Sequence, residues 1–477
     1  MNETTRKDLI RLFEGWIDDN VAEIVPLPQS GSDRKYFRMF GQRSRAIGVF
    51  NPDKKENLAF LSFTKTFLSE GLRVPEIYAE APEDYVYLLR DLGDTTLYSY
   101  LKSVRSEGNF PQKLLDTYKS VIEELPRFQI AGGQNIDYSA CYPRSRFDKQ
   151  SMHWDLNYFK YYFLKLAKIP FDEQALEEDF QTFMDYLLGT DCDFFLYRDF
   201  QSRNVMLVDD QPYFIDYQGG RRGALQYDLA SLLYDSKADI PQPIRDQLLK
   251  HYLKTLRNYR AVDTDQFVRY FHGYVLIRIM QAMGSYGYRG FYEKKEHFLQ
   301  SIPYALENLR DLLGKIDFPV KLPTLIDVLG KLIGAPRLKT LYSPEKTMTV
   351  KITSFSYKKG IPIDTTGHGG GFVFDCRAIH NPGRYAEYKQ LTGKDPAVQN
   401  FLEDQPEFHG FLQNVFALVD QSVETYLQRK FTHLMVNFGC TGGQHRSVYC
   451  AEKLAEHLRD KYKTNIELRH IELDTEE

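Results

Sequence analysis

Over the first ninety residues apolar positions recur in short runs separated by turn-forming residues, which predicts strands at 24–27, 35–40, 46–50 and 85–89. Between the third and fourth runs the period lengthens. Leu58, Leu61, Phe63, Phe67 and Leu68 fall at mostly helical spacing within 54–70, so one helix is expected beside a small sheet. From about 111 to 315 helical periodicity dominates, with amphipathic stretches at 112–130, 156–167 and 265–285 and one β-rich island at 194–216. Pro319, Pro323, Gly334 and Pro336 then punctuate the chain and place a domain boundary near 330–346. Beyond it the order is strand (347–357), glycine-rich loop (368–371), strand (372–377), helices (397–428), strand (433–438), helix (446–462) and strand (467–471). Strands alternating with helices predict an α/β domain with a mostly parallel sheet.

Composition narrows the function classes. At roughly 100–200 residues per domain, 477 residues hold about two to four folding units. With 43% hydrophobic and 26% charged residues the chain is of the ordinary globular type. Lys and Arg number 61 against 65 Asp and Glu, a net charge of −4, so no global basic field collects nucleic acid or anionic membrane. The five cysteines, at 141, 192, 376, 440 and 450, form no CxxC pair and no short metal-ligand spacing, which argues against a disulfide framework or a zinc ribbon. The first twenty residues are charged and amphipathic, unlike a secretory signal. With no apolar run of about 18 residues, the expected location is cytoplasmic, with no membrane partner.

The β-rich island carries Tyr197-Arg198-Asp199-Phe200-Gln201-Ser202-Arg203-Asn204, followed by Ile215-Asp216-Tyr217-Gln218. Asp199 and Asn204 have the separation of a kinase catalytic loop, and Asp216 follows by one hairpin. One carboxylate accepts a hydroxyl proton, while an amide oxygen and a second carboxylate suit Mg2+, which prefers hard oxygen ligands and keeps several waters. The loop 29–33, with Ser30, Gly31 and Ser32, lets backbone N–H groups approach phosphates. No lysine stands in the strand 46–50, where kinases place the phosphate-pairing lysine. Arg38 is the favoured substitute, ahead of Lys35, Lys54 and Lys55, with Glu56 as candidate partner. Asp155, Asn157 and Tyr158 open an aromatic-rich helical stretch and are the candidate acceptor contacts.

These residues carry a resemblance. Residues 1 to about 315 resemble the aminoglycoside phosphotransferase and choline kinase superfamily, and within it the anomeric amino-sugar kinases of cell-wall recycling (AmgK-like). The matching stretches are Gly31 to Arg38, Leu89-Arg90-Asp91-Leu92-Gly93-Asp94, Arg198 to Asn204, Ile215 to Gln218, and Tyr227-Asp228-Leu229-Ala230-Ser231-Leu232. The resemblance implies ATP and Mg2+ as cofactors, Asp199 as catalytic base, Asn204 and Asp216 as metal ligands, Asp91 among the ATP contacts, and Asp228 as a support of the catalytic loop. It implies a two-lobed, protein-kinase-like α+β fold, with lobes at 1–92 and 93–330.

A second constellation follows the strand 433–438: Gly439-Cys440-Thr441-Gly442-Gly443-Gln444-His445-Arg446-Ser447 opens a helix. Strand, glycine-rich turn and helix N-terminus converge N–H groups on an anion, and Arg446 adds a planar fork of donors. Cys440, five intervening residues and Arg446 also match the spacing of the cysteine-dependent phosphatase loop. The wider segment, after a linker at 331–346, resembles over 347–477 the C-terminal domain of the RapZ RNase adapter proteins, through Phe355 to Pro362, Phe374 to Arg377, His380-Asn381-Pro382, Leu391-Thr392-Gly393, Gly439 to Val448 and Arg469-His470. That likeness implies an amino-sugar phosphate, glucosamine-6-phosphate, held by Thr441, Gly442, Gly443, His445 and Arg446, with Lys358 and Arg377 as further contacts. RNA is the other partner it raises, although the relatives' P-loop is absent. The combined expectation is an alcohol-group phosphotransferase acting on the anomeric hydroxyl of N-acetylmuramate or N-acetylglucosamine, fused to a phosphosugar-sensing domain. The alternatives are a non-enzymatic adapter binding amino-sugar phosphate and RNA, and a kinase for choline or aminoglycoside-type acceptors.

Overall fold

The computed structural model describes residues 3–28, 33–105, 109–339, 348–362, 364, 370–429, 431–462 and 464–474. It divides into two compact units, one of 1–293 with 297–341 and one of 342–477 with 294–296. In the first unit, β1 (Glu23–Pro26), β2 (Lys35–Phe40), β3 (Arg45–Phe50), β4 (Ile77–Ala81) and β5 (Val86–Leu89) form an antiparallel sheet in the order β1-β2-β3-β5-β4. Side chains alternate across it as the strand period requires. Phe37, Met39, Ala46, Val86 and Leu88 meet Leu9 and Phe13 of the helix Glu3–Trp16, while Ile47, Val49, Tyr87 and Leu89 join Phe60, Phe63 and Phe67 of the helix Lys54–Ser69. Gly48 lets the first helix sit close, since a Cβ there would lie 3.0 Å from Leu9 Cδ2. Asp53 caps the second helix by accepting from the N–H groups of Lys55 and Glu56, which fixes Glu56 in the first turn. The helix Glu3–Trp16 and β4 are two elements that the alternation did not predict.

The rest of this unit is helical, around a large core that includes the helices Gln112–Pro126, Lys149–Phe159, Gln226–Leu233 and Thr264–Tyr286. The β-rich island resolves into two antiparallel pairs, β6 (Phe194–Leu196) with β9 (Arg221–Gly223) and β7 (Val205–Val208) with β8 (Gln211–Phe214). Residues 331–339, expected within a linker, belong to this unit: the helix Pro323–Gly334 continues past 331, and Leu332 and Leu338 are buried in its core. Residues 340–347 lie outside the described residues.

In the second unit β10 (Thr349–Ser356), β11 (Gly371–Asp375), β12 (His433–Cys440) and β13 (Asn465–His470) make an all-parallel sheet in the order β11-β12-β10-β13. Val350, Ile352, Val436 and Phe438 pack with residues of the helices Pro406–Gln428 and Arg446–Lys461. The register sets Ser356 beside Cys440 and Asp375 beside Gly439, so three strands end along one edge. Ligands of open parallel sheets bind at that edge. No described helix is long and apolar enough to cross a membrane.

Candidate functional site

The segment after β6 is held in a conformation that L-residues rarely adopt: Arg198 has φ +82° and Asp216 φ +71°. Such strain persists only where the surroundings over-determine it. Asp228 supplies the first constraint, taking the N–H groups of Tyr197 (2.8 Å) and Arg198 (3.0 Å) on its two oxygens. Burial pushes its carboxyl up to about 7, against the pull of those two N–H groups and the Gln129 amide. Tyr197, where kinases carry histidine, donates its hydroxyl to the carbonyl of Ile215 (2.6 Å) and so ties the loop to the residue before Asp216. Arg198 is clamped bidentately by Asp155 (2.7 and 2.8 Å) and bonds the hydroxyl of Tyr227 (2.7 Å).

Within this frame Asp199 makes no side-chain hydrogen bond or ion pair among the described residues. Asn204 Nδ2 donates to the carbonyl of Asp199 (2.8 Å) and lies 3.3 Å from Asp216, whose other oxygen accepts from Gln218 (2.8 Å). The Asp216 carboxyl is pushed up by loss of water and then by the nearby Asp199 charge, against the pull of the Gln218 amide and of Arg34, 3.7 Å away. An amide oxygen and a carboxylate beside an unengaged carboxylate suit Mg2+ completed by water and phosphate. No cluster of three His, Cys, Asp or Glu occurs among the described residues, so a closed protein cage is not what the donor set offers.

Other predicted residues are placed differently. Ser30, Gly31 and Ser32 lie outside the described residues. Arg38 is spent on carboxylates: Nε lies 2.9 Å from Asp91, and Nη2 and Nη1 bond Asp94 at 2.8 and 3.1 Å. Asp91, which also accepts from the N–H of Gly93, is equally engaged, so Arg38 is not free for the phosphates and the Asp91 carboxylate is not free for the ATP contact that the resemblance implied. Lys54 pairs with Glu83 (2.6 Å). Glu56 does have a cationic partner, but it is Arg34, at 3.0 Å, a residue the sequence reading passed over. The usable signal was the cap at Asp53: it turns Glu56 toward the end of β3, beside which the hairpin register places Arg34.

Of the acceptor candidates, Asp155 is 7% exposed with both oxygens bonded to Arg198, so it fixes the loop that carries Asp199. Asn157 Nδ2 meets His153 (3.2 Å) and its buried Oδ1 has no partner among the described residues. Tyr158 packs edge-on against Tyr162, with ring centres 5.2 Å apart.

In the second unit the loop after β12 folds over Cys440, whose sulfur lies 3.2 Å from the N–H of Gly443 and 3.1 Å from the hydroxyl of Ser447. Gly443 has φ +71°, and a Cβ there would come within 2.9 Å of the Ser356 nitrogen. Thr441 and Gly442 are exposed, as is Lys358, and Arg377 stacks over Tyr357 (4.2 Å) at the same strand edge while pairing with Asp375 (2.6 Å). His445 and Arg446 differ from expectation. Both are buried, His445 Nε2 meeting the carbonyl of Tyr388 (2.9 Å) and Arg446 Nη1 donating to the carbonyls of Arg377 and Ile379, so they tie the loop to its neighbours. Arg446 keeps Nε without a partner among the described residues.

Comparison with known proteins agrees with this division. A nucleotide-binding protein of Janthinobacterium sp. (strain Marseille) is 33% identical over 190 residues, 39% of this chain and 63% of that protein. One of Methylococcus capsulatus is 41% identical over 127 residues, 26% of this chain and 41% of that protein. The chain thus spans less than two thirds of the length of these curated relatives. Among solved structures, choline kinase LicA from Streptococcus pneumoniae superposes with a TM-score of 0.42 at 14% identity, over 65% of this chain and 99% of that one. Residues 348–474 match the model of the RapZ C-terminal domain. Residues 23–263, half of the chain, match the model of the phosphotransferase enzyme family, and to that family the chain belongs.

Proposed function

We propose that the protein is an ATP- and magnesium-dependent kinase that phosphorylates the anomeric hydroxyl of an N-acetylated amino sugar, joined to a domain that binds an amino-sugar phosphate. The observation that carries the reading is the unengaged Asp199 held beside Asn204 and Asp216 in a strained, over-determined loop. Asp199 accepts the acceptor hydroxyl's proton on a carboxylate oxygen. Asn204 Oδ1 and the Asp216 carboxylate would hold magnesium, which when bound neutralises phosphate charge. Asp228 and the Asp155–Arg198 pair keep the base in place, so that little reorganisation is needed at the moment of transfer. The motif likeness to anomeric amino-sugar kinases supports the acceptor class, and the strand edge with Thr441, Gly442, Lys358 and Arg377 supports a phosphosugar in the second unit.

The test is a panel of N-acetylmuramate, N-acetylglucosamine, choline and an aminoglycoside, with product position assigned by phosphorus NMR. The expected product is a sugar 1-phosphate, absent with Asp199→Asn. Turnover of choline or the aminoglycoside alone would move the acceptor class, and no acceptor-dependent turnover would leave the adapter reading.

A further inference from the structure

Strand β3, Arg45–Phe50, offers no lysine to a nucleotide, yet one cation is buried at its end. Arg34 precedes β2, whose pairing of Lys35 with Phe50 sets Arg34 just beyond the last residue of β3. Its side chain is 2% exposed. Nη2 lies 3.0 Å from Glu56 Oε1, Nη1 lies 3.2 Å from the hydroxyl of Tyr36, and Nη1 stands 3.7 Å from Asp216 Oδ1. Glu56 is itself steadied by the Asn51 amide at 2.8 Å. The guanidinium therefore bridges the first turn of the helix Lys54–Ser69 and the metal-site aspartate. Nη2 is spent on Glu56, whereas Nε has no partner among the described residues although it is shut off from water. An arginine with an unspent donor costs folding free energy unless something else uses it.

We propose that Arg34 contacts the nucleotide phosphates directly, taking over from the head of β2 the task that a lysine of β3 performs in other kinases. The inference rests on the kinase reading above. A guanidinium held by Glu56 through Nη2 leaves Nε to meet a phosphate oxygen, and its planar fork can serve a carboxylate and a phosphate at once better than the point charge of an ammonium. Asp216, 3.7 Å away, is the carboxylate that would hold magnesium against the same phosphates. A purely structural Arg34 would explain the link to Glu56 but not the orphaned Nε of a guanidinium that also reaches toward Asp216.

The test is binding, measured by isothermal titration calorimetry on the full chain with magnesium and ATP, ADP or adenosine in turn. Arg34→Met keeps the volume and is expected to weaken ATP and ADP by about 10- to 100-fold while adenosine changes less than about twofold. Equal weakening of all three ligands, or none, overturns the proposal. Should Arg34→Met not fold, Arg34→Lys carries the test, with ADP roughly three- to tenfold weaker and adenosine unaltered; ADP binding equal to the native value overturns it. Failure of the native chain to bind ATP is a different result, because it removes the kinase reading along with Arg34's role in it.

Discussion

Replacing Asp155 with alanine separates a loop-fixing role from an acceptor-binding one. The side chains of Asp155 and Arg198 are 10% and 16% exposed, so the pair is screened little by solvent. Removing the carboxylate leaves the guanidinium with the Tyr227 hydroxyl (2.7 Å) and the rings of Phe147 and Tyr227, centred 5.0 and 5.3 Å away. An uncompensated buried charge of this kind costs about 3–5 kcal/mol. The same change releases a residue held at φ +82°, and a displacement of the adjacent Asp199 by about 1 Å costs on the order of 100-fold in kcat. Both tryptophans, Trp16 and Trp154, lie in the first unit, so their fluorescence during urea unfolding reports that unit alone. The expected result is a stability loss of about 3–5 kcal/mol with kcat depressed and acceptor KM within about twofold. Arg198→Met added to Asp155→Ala should recover part of the stability, because the orphaned charge goes with it. Native stability with a raised acceptor KM alone would refute the reasoning and return Asp155 to the acceptor pocket.

Asp228→Ala strips the N–H groups of Tyr197 and Arg198 of their acceptor, and at about 1–3 kcal/mol for each buried orphan the first unit should lose about 2–6 kcal/mol, read from the same urea transition. Gly443→Ala forces a Cβ into a left-handed turn against the Ser356 backbone and should destabilise the second unit by about 1–3 kcal/mol while weakening glucosamine-6-phosphate binding in calorimetry. Burial alone would raise the Asp420 carboxyl, but Lys461 (2.8 Å) and His457 (3.0 Å) hold it below the usual range. A carboxyl lowered in the folded state stabilises above its unfolded value of about 4 and loses that contribution as the pH falls further, so the second unit should weaken on acidification below about pH 4, and less steeply with Asp420→Asn. The five cysteines are free, and Cys376, Cys440 and Cys450 are buried, so an aromatic disulfide reagent should label these three only after denaturant is added.

The strands and helices were legible wherever one face is apolar and the other polar. β2 was predicted at its exact limits because Phe37 and Met39 alternate with residues that are not buried, whereas β4, only partly buried throughout, carries no such contrast. The helix Lys54–Ser69 was found to within one residue at its C-terminal end. At 159–160 periodicity fails for a physical reason: the helix Lys149–Phe159 passes into a wider π-helical turn over Lys160–Leu164, and Lys160 is buried against Glu173 and Glu177. Asp199, Asn204 and Asp216 could be read as candidates because kinase chemistry fixes both the types and the spacing of such residues, here within eighteen residues of chain.

What the sequence did not disclose was which charges cancel. Arg38 lies 53 residues from Asp91, Asp155 lies 43 from Arg198, and Arg446 meets the backbone 67 residues away at Ile379. Separations of that size leave no local period, so each group read singly looks free for a ligand. Once the sheet and loop bring the partners together, Coulomb attraction in a poorly hydrated setting decides the matter. Arg38 and Asp91, read as two separate nucleotide contacts, neutralise each other, and Asp155 is consumed by Arg198, the residue next to Asp199. The same logic makes the exceptions informative. Arg34 Nε and Asn157 Oδ1 are buried polar atoms with no partner among the described residues, and the half-buried Asp199 carboxylate makes no bond among them. Because a protein satisfies nearly all its buried polar atoms, those left over are where a bound molecule has the most to contribute.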